Sequence, residues 1–236
     1  MSNSYFQFKQ FTIHQGRCAM KVTTDACILG AGVHVDDEAS MVLDIGTGSG
    51  LLALMLAQRF SKVTIDAIEL DTNAAVQATE NVAASPWANR INVIQGDVRA
   101  HQFAHKFDLI VTNPPFFNNS LLGPSSDKNM ARHTTSLSYP DLIRAIENNL
   151  KEEGQVTILL PADEYIQWCS EASDYGWHEV SAIYVHHAAA SPAKRVIGTF
   201  CRNRSTALKS VLIIKDDAGN YTPDFFKLLA PYYLAL

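Results

Sequence analysis

The segment Val42–Gly50 constrains the fold of this chain more than any other. It reads VLDIGTGSG, an apolar run that passes directly into three glycines spaced two apart, and the apolar stretch 51–59 follows at once. Glycine lets the backbone turn sharply and brings bare N–H groups close to a ligand. The order strand, glycine turn, helix is typical of a βαβ unit that binds a ligand at the turn. A tight turn without a ligand is the alternative.

Short apolar runs alternate with helical stretches after residue 40, which predicts an α/β fold around a mostly parallel sheet. The predicted strands are 41–45, 63–69, 91–95, 107–112, 156–160, 179–186, 196–201 and 208–214. The predicted helices are 24–33, 51–59, 72–84 and 139–150, and Gly154 marks the end of the last. In the helix 72–84 we expect the polar side chains to face outward, namely Asn73, Gln77, Glu80 and Asn81.

The two ends of the chain depart from the βαβ pattern. No convincing helix separates 196–201 from 208–214, so these strands are predicted to pair as an antiparallel ribbon at one sheet edge. Apolar residues alternate with polar ones between Phe6 and Ile13, which predicts a strand or hairpin before the first helix. We interpret 1–236 as a single domain with 1–35 as an N-terminal strand and helix extension. The stretch 116–138 has no predicted structure, and a loop of that length is typically functional or disordered.

Composition excludes several classes of protein. Hydrophobic residues make up 47% of the chain and charged residues 18%, which excludes a disordered protein. No window has the length of an apolar membrane span, and the first residues lack signal-peptide order, so we expect a cytoplasmic protein without membrane contact. The four cysteines are scattered and form no CxxC, which indicates reduced thiols and no structural metal. His101 and His105 lack a third ligand at suitable spacing, so no metal site is predicted.

The charge distribution leaves a nucleic-acid partner possible. The net charge of −5 disfavours a polyanion on average, because phosphate contacts need lysine and arginine. Residues 191–215, however, contain six basic residues and no acid. An ordinary solvated ribbon is the alternative interpretation of that basic segment.

Acidic residues stand at the ends of three successive predicted strands. Asp44 precedes the first glycine, where a carboxylate favours a ligand with a cationic head over a pyrophosphate. Glu69 follows about 20 residues after the turn, where an acid accepts hydrogen bonds from ribose in this architecture. Asp71 is the alternative for that role, or it caps the next helix. Asp97 follows the third strand and either accepts from an adenine amino group or is a turn residue.

The segment Asn113–Phe116, with the sequence NPPF, follows the strand 107–112 directly. Two prolines withhold backbone donors and cannot continue a ladder, so carbonyl oxygens remain at the strand end. The Asn113 side-chain oxygen and the Pro114 carbonyl can accept two N–H groups of one amine, and Phe116 offers a stacking face. A rigid turn with a buried Phe116 is the alternative.

DIGTGSG at 44–50 followed by NPPF at 113–116 resembles the class I S-adenosylmethionine-dependent amino-methyltransferases. The resemblance implies a Rossmann-like fold with a mostly parallel seven-stranded sheet, an antiparallel edge ribbon and helices on both faces. It implies S-adenosyl-L-methionine as cofactor, and a catalytic segment formed by Asn113, Pro114, Pro115 and Phe116. The cofactor-binding residues that it implies are Lys21, Asp25, Asp44, Gly46, Thr47, Gly48, Gly50, Glu69, Leu70, Asp97, Val98 and Asn113.

Further segments resemble the tRNA1(Val) adenine N6-methyltransferase family in particular. They are MKVTTDA at 20–26, AASPW at 83–87, ARH at 131–133 and KRV at 194–196, and with the two motifs they span nearly the whole chain. Thr23 departs from the glycine expected in many relatives. The resemblance implies methylation of the adenine just 3′ of the anticodon in a valine tRNA. We expect the protein to be a monomer without a metal. The expected RNA-binding residues are Lys128, Arg132, His133, Lys194, Arg195, Arg202 and Arg204.

Other functions use the same two-hydrogen amine. Methylation of guanine N2 in ribosomal RNA and methylation of a glutamine amide in a release factor are the enzymatic alternatives. A non-catalytic RNA-binding module that retains the cofactor is the alternative outside the enzymes. The intact Asn113 and the complete glycine turn argue against that module.

Overall fold

The computed structural model describes residues 3–36, 38–115, 137–204 and 206–235. The strands are β1 (Tyr5–Gln7), β2 (Thr12–His14), β3 (Met41–Ile45), β4 (Thr64–Glu69), β5 (Ile91–Gln95), β6 (Phe107–Thr112), β7 (Leu150–Pro161), β8 (His178–Ala188), β9 (Ala193–Cys201) and β10 (Leu208–Lys215). The helices are α1 (Thr24–Gly32), α2 (Leu51–Arg59), α3 (Thr72–Ala83), α4 (Tyr139–Asn149), α5 (Ala162–Asp174) and α6 (Pro223–Leu229), with a 3₁₀ turn at Ala88–Arg90.

Eight strands form the main sheet in the order β10-β8-β9-β7-β6-β3-β4-β5. The five strands β7, β6, β3, β4 and β5 are parallel to one another, and β9 runs antiparallel to both β7 and β8. The mostly parallel α/β fold is therefore confirmed. The strand order changes direction at β3, which pairs with β4 on one side and with β6 on the other. In open α/β sheets, ligands bind at such a point, beyond the carboxyl ends of the strands.

Two details of the predicted sheet are wrong. The sheet has eight strands, not seven, and β9 and β10 do not form an edge ribbon, because β8 lies between them and β10 pairs with it in parallel. The antiparallel strand is consequently inside the sheet. Gly198 of this strand leaves room for the Tyr165 side chain of α5, since a Cβ there would clash with the Tyr165 ring and hydroxyl. Helix α5, which carries Tyr165, was not predicted from the sequence.

Helices cover both faces of the sheet, as predicted. One apolar cluster joins α1, α2, α6 and Val82 of α3 to residues such as Val42 and Val111, and the other joins α4 and α5 to Leu43 and Ile110. Adjacent residues of β3 and β6 thus face opposite clusters, as the period of a strand requires. Strands buried on both sides read as continuous apolar runs, which made these segments easy to predict.

Helix ends agree with the sequence where local capping sets them. Thr23 caps α1 by accepting a hydrogen bond from the Ala26 N–H at 3.2 Å, which gives a role to the residue that departs from glycine.

Helix α4 ends at Asn149, and Gly154 lies inside β7 rather than after the helix. A Cβ at Gly154 would lie 2.7 Å from Leu150 Cγ and 3.0 Å from the Asp108 carbonyl, so close packing and not helix termination explains this glycine.

The N-terminal segment forms the predicted hairpin from β1 and β2. Phe8, Phe11 and Ile13 are buried in the cluster that also contains α1 and α2. The hairpin is therefore packed on the same face as the helix that follows the glycine turn. No helix among the described residues is long and apolar enough to span a membrane.

Candidate active site

The carboxyl edge of the sheet brings the predicted cofactor and substrate motifs together. In the registers of β3, β4 and β6, Ile45 lies beside Ile68 and Thr112, so the glycine turn, Glu69 and Asn113 leave the sheet as neighbours. The buried Thr112 hydroxyl donates to the Ile45 carbonyl at 3.0 Å and joins the two strand ends. Glu69 pairs with Gln95, which brings β5 and Asp97 to the same edge.

The glycine turn has the backbone conformation that its sequence predicts. Gly46, Gly48 and Gly50 have φ of 74°, 57° and 83°, a region that other residues enter only with strain. A Cβ at Gly46 or Gly48 would meet no atom of the described residues within 4 Å, so these residues leave space in front of both glycines. The turn can therefore receive a ligand against its backbone.

The prediction that the turn offers bare N–H groups is wrong for most of its residues. The N–H groups of Gly46 and Thr47 donate to the Ile68 carbonyl at 2.9 and 3.1 Å. Gly48 N–H donates to Glu69 Oε2 at 2.8 Å, and Gly50 N–H to the Thr47 carbonyl at 2.9 Å. The turn thus contributes shape and space, and its donors hold the turn itself together.

Glu69 links the glycine turn to the start of α3. Its second oxygen accepts from the Asp71 N–H at 2.9 Å, and each carboxylate oxygen keeps a further lone pair for a ligand hydroxyl. Asp71 caps α3 by accepting from Ala74 N–H at 2.8 Å, which is the capping role considered for it. Leu70 between them is 46% exposed, so an apolar side chain stands at the rim of the site.

Asp44 is fully buried beneath the turn. Its Oδ2 accepts a hydrogen bond from the Thr47 hydroxyl at 2.6 Å, and Oδ1 has no hydrogen-bond partner among the described residues. Burial raises the pKa of Asp44 to about 7, and the nearby Glu69 carboxylate adds to this, while the Thr47 hydroxyl and the Ala53 N–H oppose it. A cation next to Asp44 would stabilise its charged form.

Asp97 has the turn role that was its alternative. It accepts from the Arg99 N–H at 2.9 Å, and its carboxylate pairs with the Arg99 guanidinium, where the Nη2–Oδ2 distance is 2.6 Å. The Arg99 hydrogen bond lowers the pKa of Asp97. Val98 is buried in the apolar cluster that contains α4 and α5. A ligand amine would therefore have to share the Asp97 carboxylate with Arg99.

The Asn113 side chain has an oxygen that can accept a hydrogen bond from an amine. Its side-chain Oδ1 is buried and has no hydrogen-bond partner among the described residues. Such an acceptor costs about 1–3 kcal/mol when left unpaired, so a ligand donor would stabilise it. Pro114 is buried and Pro115 is exposed. The predicted residues Phe116, Lys128, Arg132 and His133 lie outside the described residues.

The loop 15–23, here called the N-terminal loop, lies next to Glu69. Lys21 Nζ donates to the Gln15 and Cys18 carbonyls, at 2.5 and 3.1 Å, and Gln15 Oε1 accepts from the Val22 N–H at 2.7 Å. Burial raises the pKa of Cys18; the nearby Lys21 ammonium opposes this rise, and the Glu69 and Asp71 carboxylates add to it. The Lys21 ammonium thus closes the N-terminal loop beside the predicted ribose acid.

The predicted RNA-binding residues on β9 are divided between two edges of the sheet. Arg195 pairs with Pro161 at the carboxyl end of β7, so Lys194 and Arg195 lie at the edge of the active site. Arg202 and Arg204 follow the opposite end of β9. Arg202 is seven residues from Arg195, which at the usual rise per strand residue is a distance of about 20 Å. Arg202 forms an ion pair with Glu147 at 2.5 Å and stacks 4.4 Å from the Trp177 ring centre.

The histidines considered as metal ligands do not form a metal site in the part of the chain that the structure describes. His101 and His105 belong to no cluster of three or more metal-ligating side chains there. His105 instead lies 3.3 Å from the buried Asp66. A cavity of about 710 Å³ lies at the edge of the sheet where β3, β6 and β7 begin, opposite the edge that carries Asn113. Its lining includes Asp108 and Lys151.

Solved structures share this fold. A predicted O-methyltransferase from Agrobacterium tumefaciens aligns with a TM-score of 0.65 and 20% identity, over 87% of this chain and 95% of that one. A glycopeptide N-methyltransferase complexed with S-adenosyl-L-methionine aligns with a TM-score of 0.58 and 13% identity, over 79% and 97%. The fold is that of the class I methyltransferases, with the glycine turn and Asn113 at the edge where that class of fold binds ligands.

Sequence comparison narrows the class to a family. A family model described as "Methyltransferase small domain" matches residues 28–162. A tRNA1(Val) (adenine(37)-N6)-methyltransferase of Aeromonas salmonicida is 46% identical over 99% of both chains, and one of Bacteroides thetaiotaomicron is 43% identical over 100% of both. The chain belongs to the tRNA1(Val) (adenine(37)-N6)-methyltransferase family, which confirms the resemblance seen in the sequence.

Proposed function

We propose that this protein transfers a methyl group from S-adenosylmethionine to N6 of adenine 37 in tRNA1(Val), the reaction in the names of its relatives. The observation that carries the proposal is the buried Oδ1 of Asn113, which has no hydrogen-bond partner among the described residues and lies at the same sheet edge as the glycine turn. An acceptor of this kind suits an amine, and the open turn suits a methyl donor that lies next to it.

The residues of the site fit S-adenosylmethionine. Asp44 Oδ1 is buried without a partner among the described residues and would hold the cationic amino-acid part, while Gly46 and Gly48 leave the space for it. Glu69 would accept from the ribose hydroxyls, and Leu70 would provide an apolar contact for the adenine. When bound, S-adenosylmethionine supplies an electrophilic methyl group on a sulfonium.

Asn113 and Pro114 would act on the target nitrogen. The lone pair of adenine N6 is delocalised into the ring, which makes this amine a poor nucleophile. If Asn113 Oδ1 and the Pro114 carbonyl accept both N–H groups, the nitrogen is held pyramidal with its lone pair directed outward. Alignment of this kind can supply about 7–11 kcal/mol of a barrier, and proton loss after transfer needs no strong base.

The target base must leave its stack to reach Asn113, and a base in an anticodon loop is extruded at less cost than one in a duplex. Lys194 is exposed at the site edge, and Arg195 lies next to it, so these two residues are our candidates for phosphate contacts. Lys128, Arg132, His133 and Phe116 remain predictions from the family resemblance.

Labelled S-adenosylmethionine tests the proposal. The purified protein should label bulk tRNA from a strain that lacks the enzyme, and nuclease digestion should release N6-methyladenosine. A tRNA1(Val) transcript with guanosine at nucleotide 37 is the matched control and should stay unlabelled. Label only in ribosomal RNA, or only in protein, would contradict the proposal and favour the guanine or the glutamine alternative.

A further inference from the structure

Asn81 lies where the N-terminal hairpin, the glycine turn and α3 meet. It is 1% exposed, although the amphipathic pattern of α3 predicted an outward side chain. Gln77, one turn earlier, is 5% exposed, so this prediction is wrong for both residues. For Asn81 the reason is that β2 packs against α3, where the Asn81 side chain bonds to His14 of that strand.

The Asn81 side-chain amide bonds to two separate backbone segments. Its Oδ1 accepts from the His14 N–H at 3.0 Å, and its Nδ2 donates to the His14 carbonyl at 2.8 Å. The second Nδ2 hydrogen is directed to the Ser49 carbonyl at 2.8 Å. The amide thus pairs with the outer edge of β2 as a neighbouring strand would, and it holds the glycine turn at the same time.

The bond to Ser49 fixes the orientation of one peptide group in the turn. In a trans peptide the C=O and the following N–H point in opposite directions. With the Ser49 carbonyl held by Asn81, the Gly50 N–H is directed to the Thr47 carbonyl, the bond that closes the turn. Gly50 itself packs against the same face of α3, since a Cβ at Gly50 would lie 3.5 Å from the Cβ of Ala78, three residues before Asn81.

The side-chain type is specific to this geometry. An amide supplies one acceptor and two donor hydrogens, all of which are used here. Aspartate keeps the length but has no donor for the Ser49 and His14 carbonyls. Alanine removes all three bonds and leaves buried backbone groups unpaired.

We propose that Asn81 is a positioning residue for the cofactor: it locks the glycine turn to the N-terminal hairpin, so that the turn is preorganised before the ligand binds. The proposal rests on the proposed function, in which this turn receives S-adenosylmethionine. By linkage, ligand that binds the locked turn must also stabilise the His14–Asn81 pair.

Calorimetry with S-adenosylhomocysteine tests this role in Asn81→Asp and Asn81→Ala. We expect the affinity to fall by roughly 5-fold to 100-fold, the usual size of such a coupling, while kcat at saturating S-adenosylmethionine changes far less than KM. Asn149→Asp is the matched control, since Asn149 is also buried but its amide, within the described part of the chain, bonds only to the Ala145 carbonyl of its own helix. It should lower stability and leave the affinity unchanged.

Hydrogen exchange on the unmodified protein keeps the test independent of how the variants fold. S-adenosylhomocysteine should increase the protection of the His14 and Gly50 amides together. Unchanged protection at His14, or wild-type affinity in Asn81→Ala, would overturn the positioning role. If the unmodified protein does not bind S-adenosylhomocysteine at all, the proposed function fails instead.

Discussion

Arg195 Nε lies 3.1 Å from Asp25 Oδ2, so strand β9 is joined to the first turn of α1 across the edge of the active site. The two residues were expected from the sequence to contact different ligands, Arg195 the RNA and Asp25 the cofactor. Their side chains are 26% and 30% exposed, and an ion pair of that kind contributes no more than about 1 kcal/mol to stability. The ion pair therefore affects the local charge at the edge of the active site more than the stability of the fold.

Lys194→Ala should weaken tRNA binding and make it less dependent on salt. Each phosphate contact contributes close to one unit to the slope of log K against log salt, so we expect the slope to fall by about one. Arg195→Ala should reduce the slope less, because Asp25 already offsets part of its charge. Filter binding or fluorescence anisotropy over a salt series measures both slopes.

Arg202→Ala is the control for this experiment. Its guanidinium pairs with Glu147 and stacks on Trp177 at the other end of β9, so its loss should reduce thermal stability and leave the salt slope unchanged. A slope that falls in Arg202→Ala as much as in Lys194→Ala would place both ends of β9 in the RNA footprint.

Ligand binding should be coupled to deprotonation of Asp44. In the free protein the pKa of Asp44 is raised from 3.8 to about 7, so between these pH values the folded state holds a proton that the unfolded state lacks. The contribution of this group to stability therefore decreases as the pH rises through that window. A cationic ligand favours the carboxylate, so the affinity for S-adenosylmethionine should rise with pH up to about 7 and then level off.

Calorimetry at pH 6 in buffers of different ionisation enthalpy should show proton release on binding, and at pH 8 it should show none. Asp44→Asn should abolish the release. Asp66→Asn changes another buried aspartate, which bonds to Asn92 within the sheet, and should leave the release intact. The same release in Asp44→Asn as in the unmodified protein would show that another group titrates.

The candidate site was predictable where a single segment determines its own conformation. The glycine turn and Asn113 each follow a strand directly, Glu69 ends one, and parallel strands bring their carboxyl ends to one edge. The inward side chain of Asn81 and the place of β9 between β7 and β8 depend on contacts between distant segments. No local pattern reports such contacts, which is why both were predicted wrongly.

Asn113→Ala should abolish most turnover and preserve cofactor affinity. The side-chain oxygen acts on the amine, so its removal should reduce kcat by about 100-fold or more, the loss seen for one preorganised polar group. Binding of S-adenosylhomocysteine should stay within a few-fold. Asn113→Asp keeps an acceptor oxygen and should recover part of the activity. An equal loss of affinity and turnover in Asn113→Ala would instead assign Asn113 to the cofactor.

Gly46→Ala should separate the ligand-binding role of the glycine turn from its backbone strain. Gly46 has φ of 74° and Gly219, in the turn after β10, has φ of 84°, and a Cβ at either would meet none of the described atoms within 4 Å. Both alanine variants should therefore lose a similar free energy of unfolding, about 1–2 kcal/mol, which urea denaturation measures. Only Gly46→Ala places a methyl group in the space assigned to the ligand, so only it should lower the affinity for S-adenosylhomocysteine. Equal affinity in the two variants would mean that the ligand does not lie against this face of the turn.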